Sequence, residues 1–326
     1  MDKFVCKSKR YYMEKNESSL FTESIWDVFD AFVKESGTLN GWTPATYAKF
    51  RTVRMHLKEY DECLSFQKLD VNGMNDYVRF LYERKSMRNN TVLKQIGFVR
   101  WFLRWSAANG YYSDALCRVF RPKLKIVRKK VIFLTKNELE KIKALSIPNS
   151  KRYLERVRDV FLFCCYTGLR YSDVRNLKKS DIGVDAIEIT TVKTSERLIV
   201  ELNGHSRTIL KKYVGVKLEG ERALPVISNQ KMNLYLKELG RLSGIDDPVR
   251  EVWYRGGERF ERTLPKYALL GTHAGRRTFI CTAISLGIPV PVVMQWTGHS
   301  DYKAMKPYVD VAGSVRMECM RRFDAL

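Results

Sequence analysis

Apolar residues recur at helical spacing through the first third of the chain. From Glu23 to Gly110 the segments SIWDVFDAFVKES, ATYAKFRTVRMHLKEY, NDYVRFLYERK and NTVLKQIGFVRWFLRWSAANG carry them three and four residues apart. That pattern predicts a compact bundle of about four helices. Pro44 stands just inside the second segment, after Thr43, and Gly110 just past the fourth, where helix start and stop signals belong.

The pattern changes further along. Thr135-Lys-Asn-Glu138 is a capping box ahead of an apolar helical run. A second helix is predicted from about Arg152 through Tyr166. AIEITTV (186–192), a break at Lys193 to Glu196, and RLIVEL (197–202) read as a β-hairpin rich in β-branched residues. Helices resume at about Arg207, Gln230, Ala274 and Val290, and VREVWYRGGERFERT suggests a short strand pair. The expected architecture is mainly α: a tail over 1–20, a helical domain over 21–117, a basic linker over 118–133, and a mixed α/β domain with small β elements over 134–326.

Charge narrows the partner. The 326 residues hold 58 Lys plus Arg against 36 Asp plus Glu, a net charge of +22, with 45% hydrophobic residues, enough for two packed domains. Such an excess calls for a polyanion, either nucleic acid or an anionic membrane surface, and composition does not choose between them. The N-terminus has no apolar signal region, and the longest apolar run, Val160 to Tyr166, falls well short of the roughly 20 residues of a membrane span. A soluble, unexported protein is expected.

The linker contains Arg118, Arg121, Lys123, Lys125, Arg128, Lys129 and Lys130 without one acid, and Pro122 interrupts any helix. It reads either as a flexible connector or, preferably, as a cationic strap of a clamp that closes round a duplex, its seven basic residues being candidate DNA contacts. The bundle is also basic (Lys49, Arg51, Arg54, Arg84, Lys85, Arg88, Lys94, Arg100, Arg104), and each of these suits a solvated face as well as a DNA contact. Seven irregularly spaced cysteines read as reduced, mostly buried thiols. No CxxC, HExxH or P-loop motif is present, so neither zinc nor ATP is expected; the anticipated cofactor list is empty.

Five separated pieces supply chemistry suited to attack on a phosphodiester. In YTGLRYSD, Gly168 ends an apolar helix and Arg170 projects at the break. Lys193 lies in the hairpin turn. His273 and Arg276 stand one helical turn apart, where they can share a face. His299 follows a helix-ending Gly298, and Tyr308 comes nine residues later. Each has a bland alternative: a surface Arg after a capping glycine, a turn lysine, a capping Thr272 with a surface His, a packing tyrosine.

Taken together, these pieces resemble the tyrosine recombinase (phage integrase) family: Arg170 in TGLRYSD, Lys193 in the hairpin, the H-x-x-R of His273 and Arg276 followed by RTF, the GH of His299, and Tyr308 at the family's spacing. YRGGERFERTLPK and THAGRRTF look like integrases of Bacteroides-type mobile elements. The resemblance implies a SAM-like core-binding bundle before a recombinase catalytic domain. It also implies site-specific recombination through a 3′-phosphotyrosyl intermediate on double-stranded DNA, by a tetramer on paired sites, with accessory DNA-bending or directionality factors as further candidate partners. Tyr308 would be the nucleophile and His273 its base. Arg170 and Arg276 would hold the phosphate oxygens, His299 would add a hydrogen bond, and Lys193 would protonate the leaving oxygen.

Three departures from the family stand out. Asp173 occupies the place of the usual Glu, with an orienting task; Thr297 replaces the Leu of Leu-Gly-His; and the short segment before the bundle argues against arm-site binding. The tail VDVAGSVRMECMRRFDAL looks helical and would pack in cis or on a neighbouring protomer. A catalytically silent or partner-dependent DNA-binding protein of this fold and a type IB topoisomerase are the competing readings.

Overall fold

Three of the four described bundle helices begin at a residue whose side chain caps a free N–H group, and the fourth, which follows Arg88, has no such bond. The computed structural model describes residues 24–112, 120–193 and 195–311. Helix α1 (Ile25–Leu39) starts at Ser24, whose side chain accepts from the Trp26 N–H. Helix α2 (Pro44–Tyr60) starts at Thr43 with Pro44 in its first turn. Asp70 caps α3 (Val71–Glu83), accepting from the Gly73 N–H at 2.7 Å. Helix α4 (Asn89–Ala108) is followed by Gly110 at φ +80°. Their apolar faces meet in a core rich in aromatic rings: Phe29, Phe32, Phe50 and Phe102 are essentially inaccessible, each worth roughly 1.5–3 kcal/mol of burial. Phe32 packs edge-on against Phe50 at 5.2 Å.

The described residues divide into two compact units, one running up to Arg128 and including Val252–Glu261, the other Lys129–Glu251 with Arg262 onward. Sequence pattern alone assigns Val252–Glu261 to its chain neighbours, and the physical reason for its different grouping is local. Asn89, 1% exposed, brackets Gly256, donating to its carbonyl at 2.8 Å and accepting from its N–H at 2.7 Å. The Arg88 guanidinium lies 4.1 Å from the Trp253 ring centre, and Lys125 Nζ 5.5 Å from that of Tyr254.

In the second unit α5 (Lys136–Ala144) carries the expected capping box, Thr135 and Glu138 bonding each other's backbone N–H. Helix α6 (Tyr153–Thr167) is buried on nearly all sides, as its unbroken apolar run requires. Short α7 (Tyr171–Asn176) follows. Strands β1 (Ala186–Thr190) and β2 (Arg197–Glu201) pair antiparallel, Ala186 opposite Glu201, with Ile187, Leu198 and Val200 inward. Then come α8 (Gly204–Lys211), α9 (Asn229–Leu242), the paired strands β3 (Pro248–Arg255) and β4 (Glu258–Pro265), whose Val252–Glu261 portion groups with the first unit, α10 (Thr272–Ser285), α11 (Val290–Thr297) and α12 (Lys306–Val311). The mainly helical fold class with small β elements is what the periodicity predicted.

Helices α6 and α10 approach closely because position 275 is glycine: a Cβ there would lie 2.8 Å from Cys164 Cβ and 3.3 Å from the Phe161 carbonyl. Cys164, Cys165 and Cys281 are buried free thiols, whereas Cys63 is exposed. Among the described residues no helix is long and apolar enough to cross a membrane. Arg118, the N-terminal tail and the segment after Val311 lie outside the described residues.

Candidate active site

Two helix ends build the floor of the site. Helix α6 stops at Gly168 (φ +72°) and α11 at Gly298 (φ +55°), both left-handed turns that favour glycine. At position 168 a side chain would also strike the Phe279 ring at 2.5 Å. A helix end leaves carbonyls without N–H partners, and two arginines take them up. Arg276, on α10 and 1% exposed, donates from Nη1 to the Gly168 carbonyl at 3.0 Å and from Nη2 to the Thr297 carbonyl. Burial pushes its pKa down to about 10, so it stays charged at neutral pH.

Arg170 immediately precedes α7, with Nη2 donating to the Gly298 carbonyl at 3.4 Å. Its Nη1 lies 3.8 Å from Asp173 Oδ2 and is buried without a hydrogen-bond acceptor. Asp173, 3% exposed, accepts from the Val192 N–H at 3.1 Å through its other oxygen. One carboxylate thus ties Arg170 to the hairpin turn next to Lys193. That turn is closed by the Thr191 N–H donating to the Glu196 carbonyl at 2.9 Å, and Lys193 is exposed on it.

His273 occupies the first turn of α10, whose N-cap is Gly271; Thr272, the cap considered from sequence, is inside the helix, its N–H donating to Asn233 Oδ1 at 2.8 Å. The His273 side chain is exposed, yet close enough to neighbouring protein to be partly desolvated. That desolvation, followed by Arg277, Arg276, Arg170 and Lys193, brings its pKa down to about 4. His299, half-buried, is likewise brought to about 4 by burial and then by Arg276, Arg170, His273 and Lys193. Both imidazoles are neutral at neutral pH, in a field of cations suited to an anion.

Tyr308, on α12 and 8% exposed, packs with Ile280, Cys281, Ile284, Val293 and Met305, near enough to Arg276 for their charges to interact. The structure therefore gathers Arg170, Asp173, Arg276, His273, His299 and Lys193 about one place, with Tyr308 on its α10 side. Sequence reasoning noted Thr297 only as a departure from Leu-Gly-His and missed its role, a fully buried hydroxyl 2.8 Å from His299 Nδ1. In the strap, Arg121, Lys123, Lys125, Arg128, Lys129 and Lys130 are all exposed. On the bundle, Arg54 and Lys85 are paired with Asp30 and Glu59, while Lys49, Arg51, Arg84, Lys94 and Arg104 are exposed.

Comparison with known proteins gives the family and the fold. Residues 132–314 match the phage integrase family and residues 24–122 the phage integrase SAM-like domain. A tyrosine recombinase of Thermosipho africanus is 22% identical over 281 residues, covering 85% of this chain and 88% of that protein. One from Pseudothermotoga lettingae is 23% identical over 259 residues, covering 78% and 82%. Among solved structures, a lambda integrase dimer bound to a COC′ core site superposes with a TM-score of 0.68 at 16% identity over 88% of this chain and 95% of that one. The Tn1549 transposon integrase in complex with a circular-intermediate DNA gives 0.60 at 14% over 88% and 95%. The shared fold, with the family match spanning both units' sequence, means that this chain belongs to the phage integrase family of tyrosine recombinases.

Proposed function

We propose that this site-specific recombinase cleaves and rejoins duplex DNA through a 3′-phosphotyrosyl link to Tyr308. The observation that carries the reading is the pair of guanidiniums, Arg170 and Arg276, anchored on adjoining helix-end carbonyls, with Asp173 behind Arg170. Two fixed guanidiniums stabilise the charge that builds on the non-bridging phosphate oxygens as phosphorus becomes five-coordinate.

A tyrosine hydroxyl is a weak nucleophile and must lose its proton as it attacks. Neutral His273 is able to take it, because its depressed pKa keeps the ring unprotonated. The Tyr308 oxygen bonds to phosphorus, the bond to the 5′-oxygen breaks, and Lys193 gives that oxygen a proton. A 5′-hydroxyl from a second strand reverses the steps, exchanging one phosphodiester for another of similar energy. Asp173 positions Arg170 and the Lys193 turn. The exposed strap from Arg121 to Lys130 and the bundle's exposed lysines and arginines contact the phosphate backbone. By analogy with lambda integrase, solved as a tetramer on a Holliday junction, four protomers assemble on paired sites. Mobile-element DNA in the cytoplasm is the substrate this reading favours.

Covalent trapping tests it. Wild type and Tyr308→Phe are incubated in EDTA with fragmented DNA of the source organism and quenched in SDS, and protein-linked DNA is sequenced; a nicked suicide substrate is then built from the recovered sequence. The expected result is a 3′-linked adduct that vanishes in the variant while DNA binding persists. Tight binding without any adduct would replace the reading with a silent or partner-dependent DNA-binding protein, and relaxation of plasmids without strand exchange would favour a topoisomerase.

A further inference from the structure

Thr297 is the last residue of α11, fully buried, and its hydroxyl faces two groups at once. Oγ1 lies 2.5 Å from the Val293 carbonyl, one turn back in the helix, with the Met294 carbonyl more distant at 3.4 Å. On its other side Oγ1 lies 2.8 Å from His299 Nδ1. A hydroxyl owns one proton and a carbonyl none. At 2.5 Å two oxygens tolerate each other only with a proton between them, so the Thr297 proton is committed to Val293. Toward His299 the hydroxyl is then an acceptor.

We propose that Thr297 is a positioning residue that fixes neutral His299 as the tautomer protonated on Nδ1, so that His299 donates from Nε2 to a phosphate oxygen only after taking up a second proton. The phosphate step rests on the recombinase reading; the tautomer does not. The opposite tautomer would turn the Thr297 proton toward Nδ1 and leave Oγ1 and the Val293 carbonyl in close contact with nothing between them. Arg276 does not compete for the choice, since its Nη2 stands nearly equidistant from the two ring nitrogens, 3.2 Å from Nε2 and 3.4 Å from Nδ1.

The second proton comes from solvent, and the surroundings decide when it arrives. Facing His299 are Arg276 and His273 from α10, Arg170 from the α6–α7 turn and Lys193 from the hairpin turn, all opposing a positive ring after burial itself. Tyr308 on α12 interacts with Arg276, and Asp173 lies beside Arg170. Glu196 is the acid across the hairpin, 4.0 Å from where a Cβ of Gly298 would stand. A phosphodiester anion placed on Arg170 and Arg276 offsets the arginine and lysine charges and favours proton uptake. Substrate binding and the creation of the Nε2 donor are thereby coupled: the free enzyme holds His299 unarmed, and the phosphate arms it.

The tautomer is read directly by long-range proton–nitrogen correlation NMR on histidine-labelled full-length protein. The chain has only four histidines, and His299→Gln assigns the signal. Wild type and Thr297→Ser are expected to show the Nδ1–H form near neutral pH without DNA, whereas Thr297→Val shifts the population to Nε2–H. With the suicide substrate, the ratio of Thr297→Val to wild-type cleavage rates is expected to rise about tenfold per pH unit above the DNA-bound pKa of His299. Thr297→Ser should track wild type. A wild-type His299 found as Nε2–H, or charged in the free protein, overturns the proposal even if covalent adducts form. Absence of any adduct with a clear Nδ1–H signal overturns the recombinase reading and leaves the tautomer assignment standing.

Discussion

The same chemical change, glycine to alanine within a helix, should move stability in opposite directions at positions 97 and 275. Intrinsic helix propensity favours alanine by about 1 kcal/mol at either place. Gly97 lies inside α4, and an added Cβ there meets nothing within 4 Å, so the propensity gain is realised in full. At Gly275 the added carbon would stand 2.8 Å from Cys164 Cβ, an atom fixed to the backbone of a buried helix. Ordinary contact requires roughly 3.5–4.0 Å, so α10 has to move by the better part of an ångström. Overpacking of that kind costs about 1–3 kcal/mol, which cancels the propensity gain and leaves a net loss of up to about 2 kcal/mol.

Because the chain has two compact units, a single transition is not assumed. Hydrogen exchange at increasing urea, read separately on α4 and on α6 with α10, reports each unit. Gly275→Ala should also weaken cleavage, since the Arg276 bond to the Gly168 carbonyl spans this same helix contact. Should Gly275→Ala protect α6 and α10 as much as Gly97→Ala protects α4, the close-approach reasoning is wrong.

Three further outcomes are expected. His273 and His299 titrate near 4 in the fold against 6.5 when unfolded, so the unfolded chain binds protons first as pH falls; stability should decline from about pH 6.5 towards 4, and denaturation midpoints of the His273→Gln, His299→Gln double variant should fall less over that window. Asp173→Asn removes the charge that steadies Arg170 and weakens the tie to the hairpin turn, and should lower single-turnover cleavage by up to about 100-fold with DNA affinity nearly unchanged. Replacing Lys129 and Lys130 by alanine should reduce the slope of log affinity against log salt by about 2, measured by fluorescence anisotropy, without changing sequence preference.

Local elements were legible because they depend on neighbours in the chain. Thr43 with Pro44, Thr135 with Glu138, and the left-handed Gly168 and Gly298 each act over one helical turn, and each stands where the pattern indicated. The hairpin could be read from alternating β-branched residues for the same reason. The order and spacing of the site residues also lie on the surface of the sequence and point to the family without any coordinates.

What tertiary structure decided is how those residues are held. No local pattern says that Arg276 is buried, because its carbonyl partners come from turns 108 and 21 residues away. Nothing in the run VREVWYRGGERF shows that Asn89 will bracket Gly256 across 167 residues. The Thr297 hydroxyl reads as an ordinary substitution until the Val293 carbonyl and His299 close on it from both sides. Backbone preferences and side-chain periodicity act within a few residues and are written in order along the chain. Desolvation and hydrogen-bond direction are set by whatever packing brings within about 3 Å, which the chain order does not record.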